Sequence, residues 1–509
     1  MDDSRCHPVK KSCPKRFWGS RLPALLLGLV CSGILGSGQS LAAETPEVTV
    51  LLWFDTEDYL LPASDDALLR LARFLTGQQV RATFKIVGEK ARVLEQRGRR
   101  DVLEALGSHE VGYHTDFHSV QPSPAMFLSG LGWFEGVDEF DRREHQGFLD
   151  VARITGQTPS CYGQPGSSWG PQSYGALRRW GVRVYLDAGD HVDVDGRPFW
   201  YAGILTLYSL QHTLRTELGG EADLLEAQRR FQEAYHTLLA EGGGIISIYY
   251  HPCEFVHREF WDAVNFSKGA NPPREAWKIP PAKDPTEAET AFRTFESFIR
   301  FISGHPGVRF RTASETLELY PDRAAGRVFS PADLKKLAAA VAGGAVDFQL
   351  LGDVAVSPAE QFVLLTRYLA DGLPAEGVRL EQTGVLGPVT PQRAHGSMQV
   401  PWDQFQRTVR DVVDFTRLRG RVPDDVWLGS RAVSPESFLA AAGAVVQHLG
   451  SASPPRVVEL RPATLKTASR VRNDKSLWGW VIFPPDFEAP AMMELAARQS
   501  WSLKPALRR

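Results

Sequence analysis

The chain has 509 residues, 43% hydrophobic and 23% charged, which is enough apolar material for two or three ordinary cores. Its formal charge is −3 without a long basic or acidic run, which argues against nucleic acid as a partner. Residues 1–43 read as an export signal. Lys10, Lys11, Lys15, Arg16 and Arg21 precede the apolar stretch Leu22 to Leu35, and small residues follow at Ser40, Ala42 and Ala43. That stretch is short and broken by Pro23, Gly28 and Gly33, so no stable membrane span is expected after cleavage. An exported location is the expectation, and the mature chain keeps only Cys161 and Cys253.

Val48 to Asp55 is a continuous apolar run ending in acid, the pattern of a strand buried on both faces of a parallel sheet. Asp65 to Thr76 carries Leu68, Leu69, Leu71, Ala72 and Leu75 at helical spacing. Arg81 to Val87 is strand-like and Ala91 to Leu106 helical. Strands recur at Val182 to Leu186 and Gly244 to Tyr250, with a helix from Glu221 to Leu239 between them. This alternation predicts an α/β fold with a parallel sheet or barrel. Its site belongs at the carboxyl ends of the strands, where Asp55, His118 and His251 fall.

A first domain spans residues 44–320, and a linker follows at 321–329. Residues 330–455 predict a smaller, mainly helical region. Ser330, Ser357 and Ser434 each precede a proline and an acid, as at helix starts. Residues 456–509 hold Leu477, Trp478, Trp480 and Phe483 and are too apolar to hang free.

His114 and His118 stand four residues apart, the spacing that puts both rings on one face of a helical turn and within reach of one metal ion. The first strand ends in Asp55-Thr56-Glu57-Asp58, and the last predicted strand ends in Tyr249-Tyr250-His251-Pro252. In this order, with Ala82-Thr83-Phe84-Lys85-Ile86-Val87-Gly88 between them, these segments resemble the motifs of the polysaccharide deacetylase (NodB-homology, carbohydrate esterase family 4-like) superfamily. The resemblance spans roughly Val48 to Leu319 and marks a divergent member. Phe415 to Leu439 is weakly similar to pseudomurein-binding cell-wall repeats, with an ordinary support domain as the competing reading.

The resemblance implies a distorted (β/α) barrel of the NodB type and a metal-dependent hydrolase that removes N-acetyl groups from a glycan or cell-wall polymer. Another amide or ester substrate, and a catalytically lapsed glycan-binding protein, are the alternatives. It also implies a divalent ion, zinc by the chemistry of paired imidazoles, held by His114, His118 and a carboxylate. Strand alternation puts Asp55 and Glu57 on one side and Asp58 on the other. Glu57 is therefore the expected ligand, Asp58 its alternative, and Asp55 the general base, with His251 as the general acid.

The family's third motif is of the Arg-x-Pro type, with an arginine that orients the catalytic aspartate. Here the segment reads Cys161-Tyr162-Gly163-Gln164-Pro165-Gly166. Tyr162, Gln164 and Pro165 are the expected oxyanion or substrate loop, with Gln164 the group available to meet Asp55. Without an arginine, Asp55 is expected to have a less depressed pKa. Asp187 and Asp190 are the candidates to tune His251. The resembling fold brings Cys161 and Cys253 to one rim, so they are expected as a disulfide or as two buried thiols.

Overall fold

The computed structural model describes residues 46–381, 383–393, 396–450 and 452–509. The expected export signal at residues 1–43 therefore lies outside the described residues. Among the described residues, no helix is long and apolar enough to cross a membrane.

Eleven strands join in one sheet. In chain order they are β1 (Val48–Thr56), β2 (Thr83–Ile86), β3 (Glu110–Tyr113), β4 (Cys161–Tyr162), β5 (Val184–Leu186), β6 (Phe199–Tyr201), β7 (Ile204–Leu207), β8 (Thr213–Leu214), β9 (Gly244–Tyr250), β10 (Val308–Arg311) and the C-terminal strand Lys504–Pro505. The spatial order from the C-terminal strand is β6-β7-β5-β4-β3-β2-β1-β9-β8, with β10 also on β1. Every pairing is parallel except those of β6 with β7 and with the C-terminal strand. The result is a mixed α/β fold whose curled, mostly parallel sheet is consistent with a (β/α) barrel.

All nine residues of β1 are buried, as its unbroken apolar run requires. Val50, Leu52 and Phe54 pack outward into the large cluster under the helices. Leu51 and Trp53 face inward with Cys161, Val184, Leu186, Leu205, Leu207 and Ile245. The inner face is therefore a filled core that ends below the site. The helix expected from Ala91 to Leu106 is two, Gly88–Gln96 and Arg100–Leu106. Gly98 breaks it with a φ of +68°, a left-handed turn that glycine takes without steric cost.

Among the described residues of 328–465 are four helices of twelve to eighteen residues, from Pro331–Ala342 to Pro435–Leu449, and ten short strands paired as five ribbons. The region is less purely helical than its sequence suggests. The expected caps are in place: Ser330, Ser357 and Ser434 accept from the backbone N–H of Asp333, Glu360 and Ser437. This region has its own core around Leu337, Phe362, Phe405 and Phe438.

The last segment binds both parts together. Leu477, Trp478, Phe483, Met492, Met493, Leu495 and Leu503 join the large cluster of the sheet, while Trp501 joins the second core. Lys504 Nζ, buried, lies 2.7 Å from Asp322 Oδ1 and 2.6 Å from Glu360 Oε1. Residues 45–509 form one compact unit.

Candidate functional site

The carboxyl ends of β1, β2, β3 and β9 converge on one group of buried polar side chains. Alternation along β1 carries Asp55 to the inner face, and Glu57 follows just past the strand end. Asp58 turns the other way, as its parity predicts. Its carboxylate accepts from Leu60 N at 2.8 Å and from Ser64 Oγ, and lies 3.5 Å from His257 Nε2. Asp58 thus holds the loop into the helix Pro62–Gly77 and lies outside the group formed by Glu57, His114 and His118.

His114 is the first residue after β3, and His118 sits in a turn with φ +55°. The pair is brought together by a strand end and a tight loop, not by the helical turn that their spacing suggested. Their ring centroids are 5.0 Å apart. Glu57 Oε2 lies 2.9 Å from His118 Nε2 and 3.9 Å from His114 Nε2. The opposite nitrogens are held from behind: His114 Nδ1 is 3.0 Å from the carbonyl of Gly163, and His118 Nδ1 is 2.6 Å from Ser119 Oγ. A carbonyl only accepts, so His114 carries its proton on Nδ1 and offers the Nε2 lone pair inward.

Glu57 Oε1 and His118 Nε2 are buried and lack a hydrogen-bond partner, an arrangement that costs free energy unless something else satisfies them. Burial pulls His114 well below its ordinary pKa and His118 down to about 4, so both rings are neutral. One carboxylate oxygen and two imidazole nitrogens, all within 4.8 Å of one another, fit a metal ion.

Beside this trio lies a second cluster. Lys85, on β2, is fully buried, with Nζ 2.9 Å from Asp55 Oδ1, 2.6 Å from Asp187 Oδ2 and 2.9 Å from the carbonyl of Leu186. The ammonium also stands 4.1 Å from the centre of the Trp53 ring, a cation–π contact. Asp55, His114 and Asp187 could by spacing hold a metal, but Lys85 already supplies the positive charge there. Burial alone would raise the Asp55 pKa, yet the groups facing it hold it down at about 2, with the Lys85 ammonium the standing charge among them. Asp187 is pushed up instead, chiefly by burial.

His251, just past β9, places Nε2 3.7 Å from Asp55 Oδ2 and 4.0 Å from Glu57 Oε2. Glu254 Oε1 accepts from the backbone N–H of His251 at 2.7 Å and lies 3.6 Å from its Nδ1, while Glu254 Oε2 lies 2.8 Å from Arg215. Burial works against a charged His251, but Glu254, Glu57 and Asp55 outweigh it and raise its pKa. The carboxylate that contacts His251 on its own loop is therefore Glu254. Asp187 is spent on Lys85, and the Asp190 side chain is exposed, 3.3 Å from Arg472.

The expected oxyanion loop is also rearranged. The Tyr162 ring points outward, packed among Tyr113, Phe140 and Tyr185. Gln164 does not reach Asp55: its Oε1 accepts from Tyr185 OH at 2.6 Å, and its Nε2 donates to the carbonyls of Gly166 and Ala188. The carbonyl of Pro165 accepts from Ser168 N at 2.9 Å, closing a turn. Asp55 is depressed even without an arginine, with the Lys85 ammonium beside it. Cys161 and Cys253 are both free and buried. Of the two expectations, the pair of buried thiols is the one seen; three strands (β3, β2 and β1) lie between β4 and β9, so the strands leading to the two cysteines are not neighbours on one rim.

Three participants escaped sequence reasoning. Lys85 did leave a signal, a lone charge inside the buried strand Thr-Phe-Lys-Ile, which must be paired to be tolerated. Glu254 stands three residues after His251, in capping-box position. Trp480 left none: it arrives from the far end of the chain, edge-on to His118 with ring centroids 5.3 Å apart. Its Nε1 donates to Asp262 Oδ2 at 2.8 Å, and its ring covers Gly166, where a Cβ would lie 2.3 Å from the indole. With Trp480 and Trp261 beside His118, the centre is nearly closed: Asp55, Glu57, His114 and His118 are 1–5% exposed.

No family model and no curated relative matches this sequence. Among solved structures, a Mycobacterium smegmatis protein of the polysaccharide deacetylase type is similar over 54% of this chain and 91% of its own, at 14% identity and a TM-score of 0.36. An allantoinase is similar over 54% and 90%, at 12% identity and 0.34. A CE4-family pseudoenzyme from Bacillus anthracis covers 54% and 66%, at 13% identity and 0.28.

Proposed function

We propose that the protein is an exported, metal-dependent hydrolase of the NodB type that removes N-acetyl groups from a glycan. The observation that carries this reading is the convergence of Glu57, His114 and His118 beside Asp55 and His251 at one end of the sheet. Glu57, His114 and His118 would hold the ion, zinc by the chemistry of the donors. When bound, a divalent ion there supplies Lewis acidity toward a carbonyl oxygen and toward water.

The rest of the chemistry belongs to the chain's own groups. Asp55, ionised and buried, takes a proton from the attacking water on a carboxylate oxygen. His251, whose raised pKa favours the protonated ring, delivers a proton to the departing nitrogen. The two stand 3.7 Å apart. Trp480 and Trp261 keep bulk water from His118, which strengthens every electrostatic contact inside. The Gly163-Gln164-Pro165 loop, with no charged side chain of its own, keeps hydrolysis of another amide or ester as a second reading.

Metal analysis of the purified protein, joined to acetate release from a panel of N-acetylated glycans, tests the proposal. One divalent ion per chain and release of acetate are expected, and a metal-free, inactive protein would sink it. Asp55→Asn should retain the metal and stop turnover. His251→Ala should also retain it and slow the reaction by ~10²–10⁴-fold. Loss of the metal in either variant would make that residue a ligand instead.

A further inference from the structure

Lys85 neither holds the ion nor moves a proton in this scheme, yet it is as buried as any group of the centre. A fully buried lysine is costly unless its charge is matched, and here Nζ donates to Asp187 and to the carbonyl of Leu186 and stands 2.9 Å from Asp55 Oδ1 as an ion pair. The neighbouring loop is cut to fit it. A Cβ on Gly163 would lie 2.1 Å from Lys85 Nζ and 2.3 Å from Asp187 Oδ2, so the ammonium occupies the space that a side chain at position 163 would fill. Gly163 does not adopt the left-handed region. Its lack of a side chain therefore serves the close approach of Lys85 rather than a turn.

We infer that Lys85 is the positioning residue of the centre: it fixes the Asp55 carboxylate toward His114 and His251, with Asp187 as the counter-anion that keeps the lysine in place. The inference rests on the proposed hydrolase reading for its kinetic consequence but not for its geometry. Asp55 Oδ1 is buried without a hydrogen-bond partner, and the Lys85 ammonium, 2.9 Å away as an ion pair, is the cation that can restrain it. Asp187 is tied on its other oxygen to the backbone N–H of Ala188 at 2.7 Å, so the ammonium is anchored at a fixed point of the β5 terminus. A neutraliser alone would need neither the second carboxylate nor the cleared space at Gly163.

The test compares Lys85→Met, Asp187→Asn and the double variant in the full chain, with bound metal, unfolding temperature and kinetics measured on each. Lys85→Met alone leaves two carboxylates in one buried space and is expected to unfold at a lower temperature. Asp187→Asn added to it removes that repulsion, so the double variant should recover stability and bind metal. Its kcat should nonetheless fall by ~10²-fold, the scale of a misplaced reacting group, with KM changed less than about threefold. A double variant that is folded, metal-loaded and within about threefold of the wild-type kcat would overturn the inference and leave Lys85 a neutraliser of Asp187. If the wild type itself releases no acetate, the substrate reading fails, and a crystal structure of the double variant decides the positioning role. Asp55 is expected to leave its place 3.5 Å from His114 Nδ1 and 3.7 Å from His251 Nε2. An unmoved Asp55 would overturn the inference.

Discussion

Glu57→Gln, His114→Ala and His118→Ala are each expected to abolish stoichiometric binding of a divalent ion, and turnover with it. The three supply the converging donor atoms, with Glu57 Oε2 between the two rings at 2.9 and 3.9 Å. Altering an outer partner of a metal ligand typically costs 10- to 100-fold in affinity, so loss of a ligand itself should exceed ~100-fold. Asp58→Asn is the control, because its carboxylate serves Leu60, Ser64 and the neighbourhood of His257 instead. That variant should keep the ion while losing stability at the loop. Metal content after dialysis, measured alongside the unfolding temperature, separates the two effects. Retention of the ion by Glu57→Gln together with its loss from Asp58→Asn would reverse the assignment.

A chain ending at Tyr320 is expected to aggregate and to carry no metal, although the strands and loops bearing the metal trio, Asp55 and His251 all precede that residue. The reason is the origin of the core that covers the sheet. Leu477, Trp478, Phe483, Met492, Met493, Leu495 and Leu503 are buried in the same apolar cluster as Phe54 and Phe84. Each large side chain contributes about 1.5–3 kcal/mol by burial, so the seven together exceed about 10 kcal/mol. A domain's whole stability is commonly about 5–15 kcal/mol. The same truncation removes the strand Lys504–Pro505 from β6 and uncovers His118 by taking away Trp480. Sedimentation of the shortened chain and its metal content check this. A monodisperse, metal-loaded product would show that the first sheet needs nothing from the tail.

Much of the site was written locally. The apolar run Val48 to Phe54 ending in Asp55 made β1 a buried parallel strand, and two-residue alternation separated Glu57 from Asp58 without knowledge of their partners. The caps at Ser330, Ser357 and Ser434 were equally legible, because a cap is a bond between residues three apart. His114, His118 and His251 were marked by spacing and by the strand ends before them, and the structure brings all three within reach of Glu57. What spacing could not supply was the backbone between the histidines, where a positive φ at His118 replaces the expected helical turn.

Which charges meet was decided only by the tertiary structure. Lys85 pairs with Asp187, 102 residues away, since β2 and the end of β5 point into one space. Glu254 contacts His251 because a tight turn puts it there, while Asp190 is drawn out to Arg472. The separation of Cys161 from Cys253 followed from the strand order, which no pair of local segments encodes. Trp480 reaches His118 only because the last segment folds back over the sheet, driven by apolar burial that carries no address in the sequence. Local bonding and alternation act over a few residues and are readable along the chain. Pairing of buried charges and sealing of a core depend on which distant surfaces are brought together, and here they placed the lysine, the glutamate and the tryptophan around the centre.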